Sequence, residues 1–551
     1  MEFPVGVVGA GTMGAGIAQV AAVAGHRVLI ADAVPGAAAR AVAGIRDRVK
    51  AQVARGRLTV DPDALDLVAV DSSAGLAGLA GCGLVIEAIV EDLAVKRALF
   101  AQLEGAVGPG CVLASNTSSL SPTALAAGLA HPERLVGLHF FNPVPAMKLV
   151  EVVSGLATDP RVADAAAGVA TRWGKTVVRS TATPGFIVNR IARPFYAEAW
   201  RVHEEQASVP QVIDAVLTGA GGFRMGPFAL MDLIGHDVNE AVTRSVWAAF
   251  GYDPRFAPSL AQRALVDAGW FGRKSGRGVY AYGDGTTPAA ARPTPAPPSS
   301  AAPTASSAAA SSRAASSAAT PATAPATASS PETVPASDAP PLAAVTEHAG
   351  GSSPLRPLLE RAGVAVVRGD RDDTGAGLPG GIVELPSGAL LVQCDGATAT
   401  SLSAAFERPV IVVDRVLDPA TATAIAVAPS DGCPAAALAE ALALLSAASL
   451  DVHVIEDTPG LIVTRTVAML ANLAADAVAC RVASEADIDT AMRLGVNYPL
   501  GPLAWARQWG TGAVLRVLDS LENWYRDGHY RASPRLRRAA LAERTPPGGT
   551  C

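Results

Sequence analysis

Cysteine pairs at metal-ligand spacing are missing from this 551-residue chain. Cys82, Cys111, Cys394, Cys433, Cys480 and Cys551 are scattered without a CxxC, which argues against a zinc site or a disulfide framework and points to a reducing compartment. Excess positive charge is missing too. A formal charge of -6 gives no reason to expect nucleic acid or an anionic membrane as partner, although a local basic patch could still hold a phosphate. Uninterrupted apolar runs of about 18 residues, the length of a membrane span, are absent, and the chain enters "FPVGVVGAG" without a basic leader. The expectation is a cytoplasmic protein. Apolar residues nevertheless make up 50% of it, enough for several buried cores.

The texture changes along the chain. Short apolar runs ("VGVVGAG", "RVLIAD", "LVIEAIV", "CVLASN", "LVGLHF", "KLVEVV", "KTVVRST") alternate with helical patterns. This predicts a doubly wound, largely parallel α/β domain over residues 1–182. Helical periodicity follows over 183–283, then an Ala/Pro/Ser/Thr-rich stretch over 284–353 with almost nothing large enough to bury. That stretch reads as a disordered linker with a reach of about 45 Å. Strand-like runs over 354–456 suggest a shorter, partial α/β segment, and helical periodicity resumes over 457–545. "TPGFIVNR" at 183–190 returns as "TPGLIVTR" at 458–465, and "MGPFALMDLIG" at 225–235 as "LGPLAWARQWG" at 500–510. Both pairs lie 275 residues apart, and Asp214 meets Asp489 at the same interval. An ungapped interval of this kind marks a duplicated helical domain.

"VGVVGAGTMGAGIAQVAAVAG" runs from strand through Gly9, Gly11 and Gly14 into a helix with small residues on one side, and "HRVLIAD" ends a second strand on Asp32. Gly9 permits the turn, Gly11 lets a pyrophosphate approach the backbone, and Gly14 allows close helix–strand contact. Asp32 would accept hydrogen bonds from ribose hydroxyls and repel a 2′-phosphate, so NAD is expected rather than NADP. A second letter match, "GAGLPG" at 375–380, contains Pro379 and is followed by "GIVELPSG", which cannot open a helix. It is read as a decoy.

"GLHFFNPVPAMKLVEV" holds one imidazole, His139, and one carboxylate, Glu151, in a nearly apolar setting. The strand ending "LVGLHF" brings His139 to the carboxyl edge of the sheet, where such folds bind ligands. Pro143 and Pro145 turn the chain, and "MKLVEV" can bring Glu151 back beside it. A carboxylate on one ring nitrogen fixes the tautomer and leaves the other as a base, while a satisfied core histidine is the alternative. Asn116 and Ser118 in "ASNTSSLS" and Asn189 in "TPGFIVNR" are further polar residues in range of such a site.

"GAGTMGAGIA", "EAIVEDLAVK", "SNTSSL", "GLHFFNPVPAMKLVEV", "TPGFIVNR" and "GRKSGRGVYAY" together resemble the L-3-hydroxyacyl-CoA dehydrogenases, in order and spacing, over residues 1–283. The two-part plan resembles the longer members of phenylacetate degradation that act on 3-hydroxyadipyl-CoA. The resemblance implies NAD-dependent oxidation of an acyl-CoA at its 3-hydroxyl, with His139 as base and Glu151 orienting it. It also implies Ser118, Asn142 and Asn189 around the substrate, and Glu91, Lys96 and Asn116 beside the cofactor with Asp32. No metal is required. A dehydrogenase of a free hydroxy acid or sugar acid, and an NAD-binding protein without turnover, are the other readings. Arg46, Arg48, Lys50, Arg55 and Arg57 follow Asp32 and read as a solvated face. The second half has Thr464 where the first has Asn189, and "IVVDRVLDPATATAIAVAP" lacks the histidine and the glutamate. "LLVQCDGATATSLSA" resembles "VLASNTSSLSPTALA" with alanine expected at the Ser118 position. A second active site is therefore not expected. The duplicate is expected to pack on the first copy as a pseudo-dimer within the chain, or to support a homodimer through the helical domains.

Overall fold

A computed structural model describes residues 3–70, 75–282, 344–348, 353–368 and 382–543. Eight strands form the first sheet: β1 (Val5–Val8), β2 (Val28–Ala31), β3 (Leu67–Ala69), β4 (Leu84–Glu87), β5 (Val112–Ser115), β6 (Leu135–Phe140), β7 (Leu149–Ser154) and β8 (Thr176–Thr181). Their order is β3-β2-β1-β4-β5-β6-β7-β8, and every neighbouring pair is parallel except β6 and β7. All of β1, β4 and β6 is buried, as expected of valine- and leucine-rich strands covered by helices on both faces. The sequence pattern missed β3, a three-residue edge strand too short to show periodicity. The α/β class with added helical domains is as expected.

Helices Arg193–Glu204, Pro210–Gly219, Pro227–Ile234, His236–Ala249 and Leu260–Asp267 follow the sheet. The repeat maps onto Val463–Ala479, Glu485–Gly495, Pro502–Trp509 and Thr511–Tyr525. Asp214 and Asp489 recur at the same interval because each caps a helix. Asp214 accepts from Phe228 N and Ala229 N, and Asp489 from Leu503 N and Ala504 N.

A second sheet, β9 (Ala344–Glu347), β10 (Ala365–Arg368), β11 (Val383–Glu384), β12 (Leu390–Gln393), β13 (Val410–Val413), β14 (Ala424–Pro429) and β15 (Asp451–Val454), has the order β10-β9-β11-β12-β13-β14-β15. Strand β9 falls inside the stretch read as linker, so order begins earlier than expected. "AVTE" pairs with β10 and β11 and buries Val345, a residue the small-residue texture around it obscured. Residues 284–343 and 349–352 of the expected linker, and the GAGLPG motif, lie outside the described residues.

The two helical copies share one core, in which Ile191, Phe195 and Val216 of the first pack with Val467, Leu470 and Leu518 of the second and with one face of β12–β14. Buried ion pairs cross the seam: Arg190 Nη2 to Asp476 at 2.9 Å and Arg465 Nε to Glu198 at 3.1 Å. The chain's internal two-fold relation appears in the backbone as well. Thr181 N donates to Val482 O and, 275 residues on, Glu456 N donates to Ala207 O.

Candidate active site

Beyond β1 the chain turns at Gly9, whose φ of +106° favours glycine, and a Cβ there would stand 2.4 Å from Ala88 O. A Cβ on Gly14 would stand 1.8 Å from Gly9 O, whereas one on Gly11 would meet nothing within 4 Å. Gly9 and Gly14 are therefore required by the protein's own packing, and Gly11 leaves open space. Helix Thr12–Val23 starts at Gly11 without a side-chain cap, so its leading amides are unclaimed by side chains. An uncapped helix start facing open space fits a dinucleotide's pyrophosphate. Asp32, just past β2, accepts from Ala10 N at 2.7 Å and Val34 N at 2.8 Å, tying the second strand's end to the glycine turn.

Antiparallel pairing sets His139 directly opposite Glu151. His139 Nδ1 lies 2.6 Å from Glu151 Oε2, and among the described residues Nε2 has no hydrogen-bond partner. The histidine is 6% exposed and the glutamate 0%. Phe141 and Phe186 pack on the imidazole at ring distances of 4.5 and 5.9 Å. The other carboxylate oxygen, Oε1, accepts from Ile187 N and Val188 N, both at 3.1 Å, where the helical domain begins. One carboxylate thus orients the ring and pins the sheet to the helices.

Asn189 follows immediately, and its Nδ2 approaches Ser118 O at 3.4 Å, bringing those two residues together. Asn116 Oδ1 accepts from Phe140 N at 2.9 Å, beside His139, while Asn142 lies exposed on the loop after β6. Glu91 gathers the 117–119 turn by accepting from Thr117 Oγ1, Ser118 N, Ser119 N and Ser119 Oγ. Burial tends to raise the Glu91 carboxyl, but Lys96 and these hydrogen bonds hold it down at about 2. Lys96 is buried, its ammonium shared between Glu87 at 2.7 Å and Glu91 at 2.9 Å, so it braces the turn from beneath.

Sequence reasoning missed Glu87 and Lys175. Glu87 ends the fully buried β4, binding Lys96, Ser115 Oγ and Ile89 N, and the charged letter inside "LVIEAIV" was its signal. The Lys175 ammonium donates to Val144 O at 2.6 Å and Met147 O at 2.8 Å, holding the loop between β6 and β7. Burial pulls Lys175 down to about 8. Behind that loop a hollow of about 460 Å³ is lined by Gln19, Gln52, Lys148, Arg172 and Lys175 among others, and Arg48 donates to Gln19 at 3.0 Å.

The second sheet shows what the duplicate lost. At the 275-residue interval Asp414 stands for His139 and Ala426 for Glu151, and Asp414 N donates to Ala426 O as the strands pair. Asp414, fully buried, accepts from Ile462 N and Val463 N, the mates of Ile187 and Val188. The base is gone and the carboxylate–amide joint remains. Strand register puts Asp395 at the Ser118 position, correcting the expected alanine; a two-residue slip between the paired segments had hidden it.

Residues 4–183 match the family model described as 3-hydroxyacyl-CoA dehydrogenase, NAD binding domain. Residues 185–282 and again 460–547 match that family's C-terminal domain, and 391–459 match the 3-hydroxybutyryl-CoA dehydrogenase reduced Rossmann-fold domain. The chain is 42% identical over 539 residues, 98% of each protein, to a 3-hydroxyadipyl-CoA dehydrogenase of Escherichia coli. It is 39% identical over 283 residues to the mitochondrial hydroxyacyl-coenzyme A dehydrogenase of Sus scrofa, covering 50% of this chain and 90% of that protein. A crystal structure of a 3-hydroxybutyryl-CoA dehydrogenase from Escherichia coli superposes with a TM-score of 0.80 at 40% identity, covering 98% of this chain and 99% of the other. The chain belongs to the 3-hydroxyacyl-CoA dehydrogenase family and is an NAD-dependent enzyme of it.

Proposed function

We propose that His139 Nε2 takes the proton from the 3-hydroxyl of an acyl-CoA thioester at a single centre in the first half of the chain. Bound NAD supplies the acceptor for the hydride leaving the same carbon. Removing the hydroxyl proton prevents positive charge from building on that carbon, and a positioned base contributes on the order of a hundred- to ten-thousandfold. Glu151 keeps the Nδ1 proton in place and stabilises the imidazolium once Nε2 has gained its proton. Ser118, Asn142 and Asn189 hold the substrate. Gly9, Gly11, Gly14, Asp32, Glu91, Lys96 and Asn116 shape the cofactor side, Lys96 by bracing Glu91 from below.

The observation that carries this reading is the 2.6 Å His139–Glu151 contact, with the far ring nitrogen free of any hydrogen-bond partner among the described residues. The hollow beside Lys148 and Arg172 suits the phosphate-bearing end of CoA, which needs basic groups next to apolar walls. A short dicarboxylic acyl chain is the proposed substrate, on the strength of the 3-hydroxyadipyl-CoA dehydrogenase that matches the whole chain. The second half acts as an internal partner subunit, and the protein works in the cytoplasm.

NADH formation from 3-hydroxybutyryl-CoA and from free 3-hydroxybutyrate tests the substrate class. Turnover of the thioester alone is expected. Comparable turnover of the free acid would contradict the reading.

A further inference from the structure

Among the described residues, the seam between the two helical copies holds a cation without its anion. Arg190 and Arg465 face Asp476 and Glu198 across it. Arg193, at the start of helix Arg193–Glu204 and 4% exposed, has no carboxylate in contact among the described residues. Its Nε donates to Asn189 O and its Nη1 to Thr243 Oγ1, both at 2.9 Å. The ring of Tyr196 lies 5.0 Å from the guanidinium carbon. Those contacts satisfy part of the fork and none of the charge, and a buried charge is ordinarily paired. Within electrostatic range of it, the phenol of Tyr498 from the second copy is 5% exposed, and its hydroxyl is buried without any hydrogen-bond partner among the described residues. Tyr196 and Tyr498 are the titratable groups that act on the Arg193 charge, and burial pulls that arginine down.

The duplication supplies a control within the same molecule. At the 275-residue interval Arg193 corresponds to Ala468 and Tyr498 to Phe223. The polar pair thus occurs on the side of the copy that keeps His139, and the copy that lost its base has an apolar pair instead. Position agrees with this. Arg193 is one helical turn from Asn189, and Asn189 adjoins the Val188 amide held by Glu151. Helix Glu485–Gly495, which leads to Tyr498, packs on β7 and on the Val188–Ile191 turn, where a Cβ on Gly495 would stand 2.8 Å from Leu149 and 3.0 Å from Val188.

We propose that Arg193 and Tyr498 together receive the terminal carboxylate of a dicarboxylic acyl chain, the anion that the seam lacks. In a six-carbon diacid thioester that carboxylate is the third carbon beyond the carbinol. The fork of Arg193 matches its geometry and the phenol donates a further hydrogen bond. The second helical copy would then have a part in choosing the substrate as well as in packing. This inference rests on the dehydrogenase reading above.

The test is the ratio of kcat/KM for 3-hydroxyadipyl-CoA to that for 3-hydroxyhexanoyl-CoA, equal in length but without the acid, in the wild-type chain, Arg193→Met and Tyr498→Phe. The wild type is expected to favour the diacid, and the ratio to fall on the order of ten- to a hundredfold in Arg193→Met and less in Tyr498→Phe, the range of charge-assisted hydrogen bonds. Arg193→Lys should restore part of it. A wild-type ratio near one, or a ratio unchanged in the variants, would overturn the proposal while leaving the dehydrogenase intact. A wild type that oxidises neither thioester would instead sink the dehydrogenase reading. If Arg193→Met does not fold, Tyr498→Phe, which removes one oxygen, decides alone.

Discussion

Glu151 carries two duties on two oxygens, one toward the His139 ring and one toward the amides of Ile187 and Val188. The duties separate by substitution. Glu151→Gln keeps the size and an acceptor oxygen but removes the charge that stabilises an imidazolium, so kcat should fall on the order of a hundredfold with NADH affinity little changed. Glu151→Ala should in addition lose about 1–3 kcal/mol of stability, because two buried amides lose their acceptor. Thermal unfolding alongside the assay distinguishes the two. Equal activity of wild type and Glu151→Gln would show that the carboxylate is only a joint. The duplicated half agrees with the division of labour, since Asp414 keeps the joint after the histidine is lost. His139 and Glu151 were legible in the sequence because charged letters in an apolar stretch need a reason. The bond from Glu151 to Ile187 was not, since backbone amides carry no letter.

At the scale of elements, the glycine turn and helix Thr12–Val23 show which features a pattern can carry. All three glycines fit one fingerprint, yet they do different work. Gly11→Ala adds a methyl to open space, so folding should be unaffected while NADH binding weakens about tenfold or more, as the close approach of the pyrophosphate is blocked. Gly14→Ala drives a Cβ into Gly9 O, and both stability and binding should drop. Calorimetric titration with NADH and a melting curve on each variant check this; a Gly11→Ala protein binding NADH like the wild type would contradict it. β1, β4 and β6 were readable because both faces are buried, which leaves their apolar runs uninterrupted. β3 was not, being a three-residue edge strand, and β9 was not, being half-buried in alternation and set among small polar residues.

At the scale of the whole molecule, the fixed 275-residue interval foretold a duplicated helical domain, and the buried pairs show how the copies hold together. Glu198 is fully buried between Arg465, Tyr530 and His529, with His529 Nε2 at 2.7 Å. Burial tends to raise this carboxyl, but His529, Arg465 and Arg201 bring it down to about 2. A depressed carboxyl adds stability above its unfolded value near 4.5, and that stability is lost as pH falls toward 2. Glu198→Gln should therefore be clearly less stable than wild type at pH 7, and the gap between the two melting temperatures should narrow below about pH 4. A gap independent of pH would place the role of Glu198 in packing rather than charge. Which side chains meet across the seam could not be read from the sequence, because the partners lie some 270–330 positions apart and no local period links them. Turnover depends on a single proton acceptor per chain, His139. The most direct measurement is steady-state NADH formation from 3-hydroxybutyryl-CoA by His139→Ala, with NADH affinity measured in parallel. Loss of at least a hundredfold in kcat at near-normal NADH affinity is the predicted result; a loss below tenfold would contradict the account.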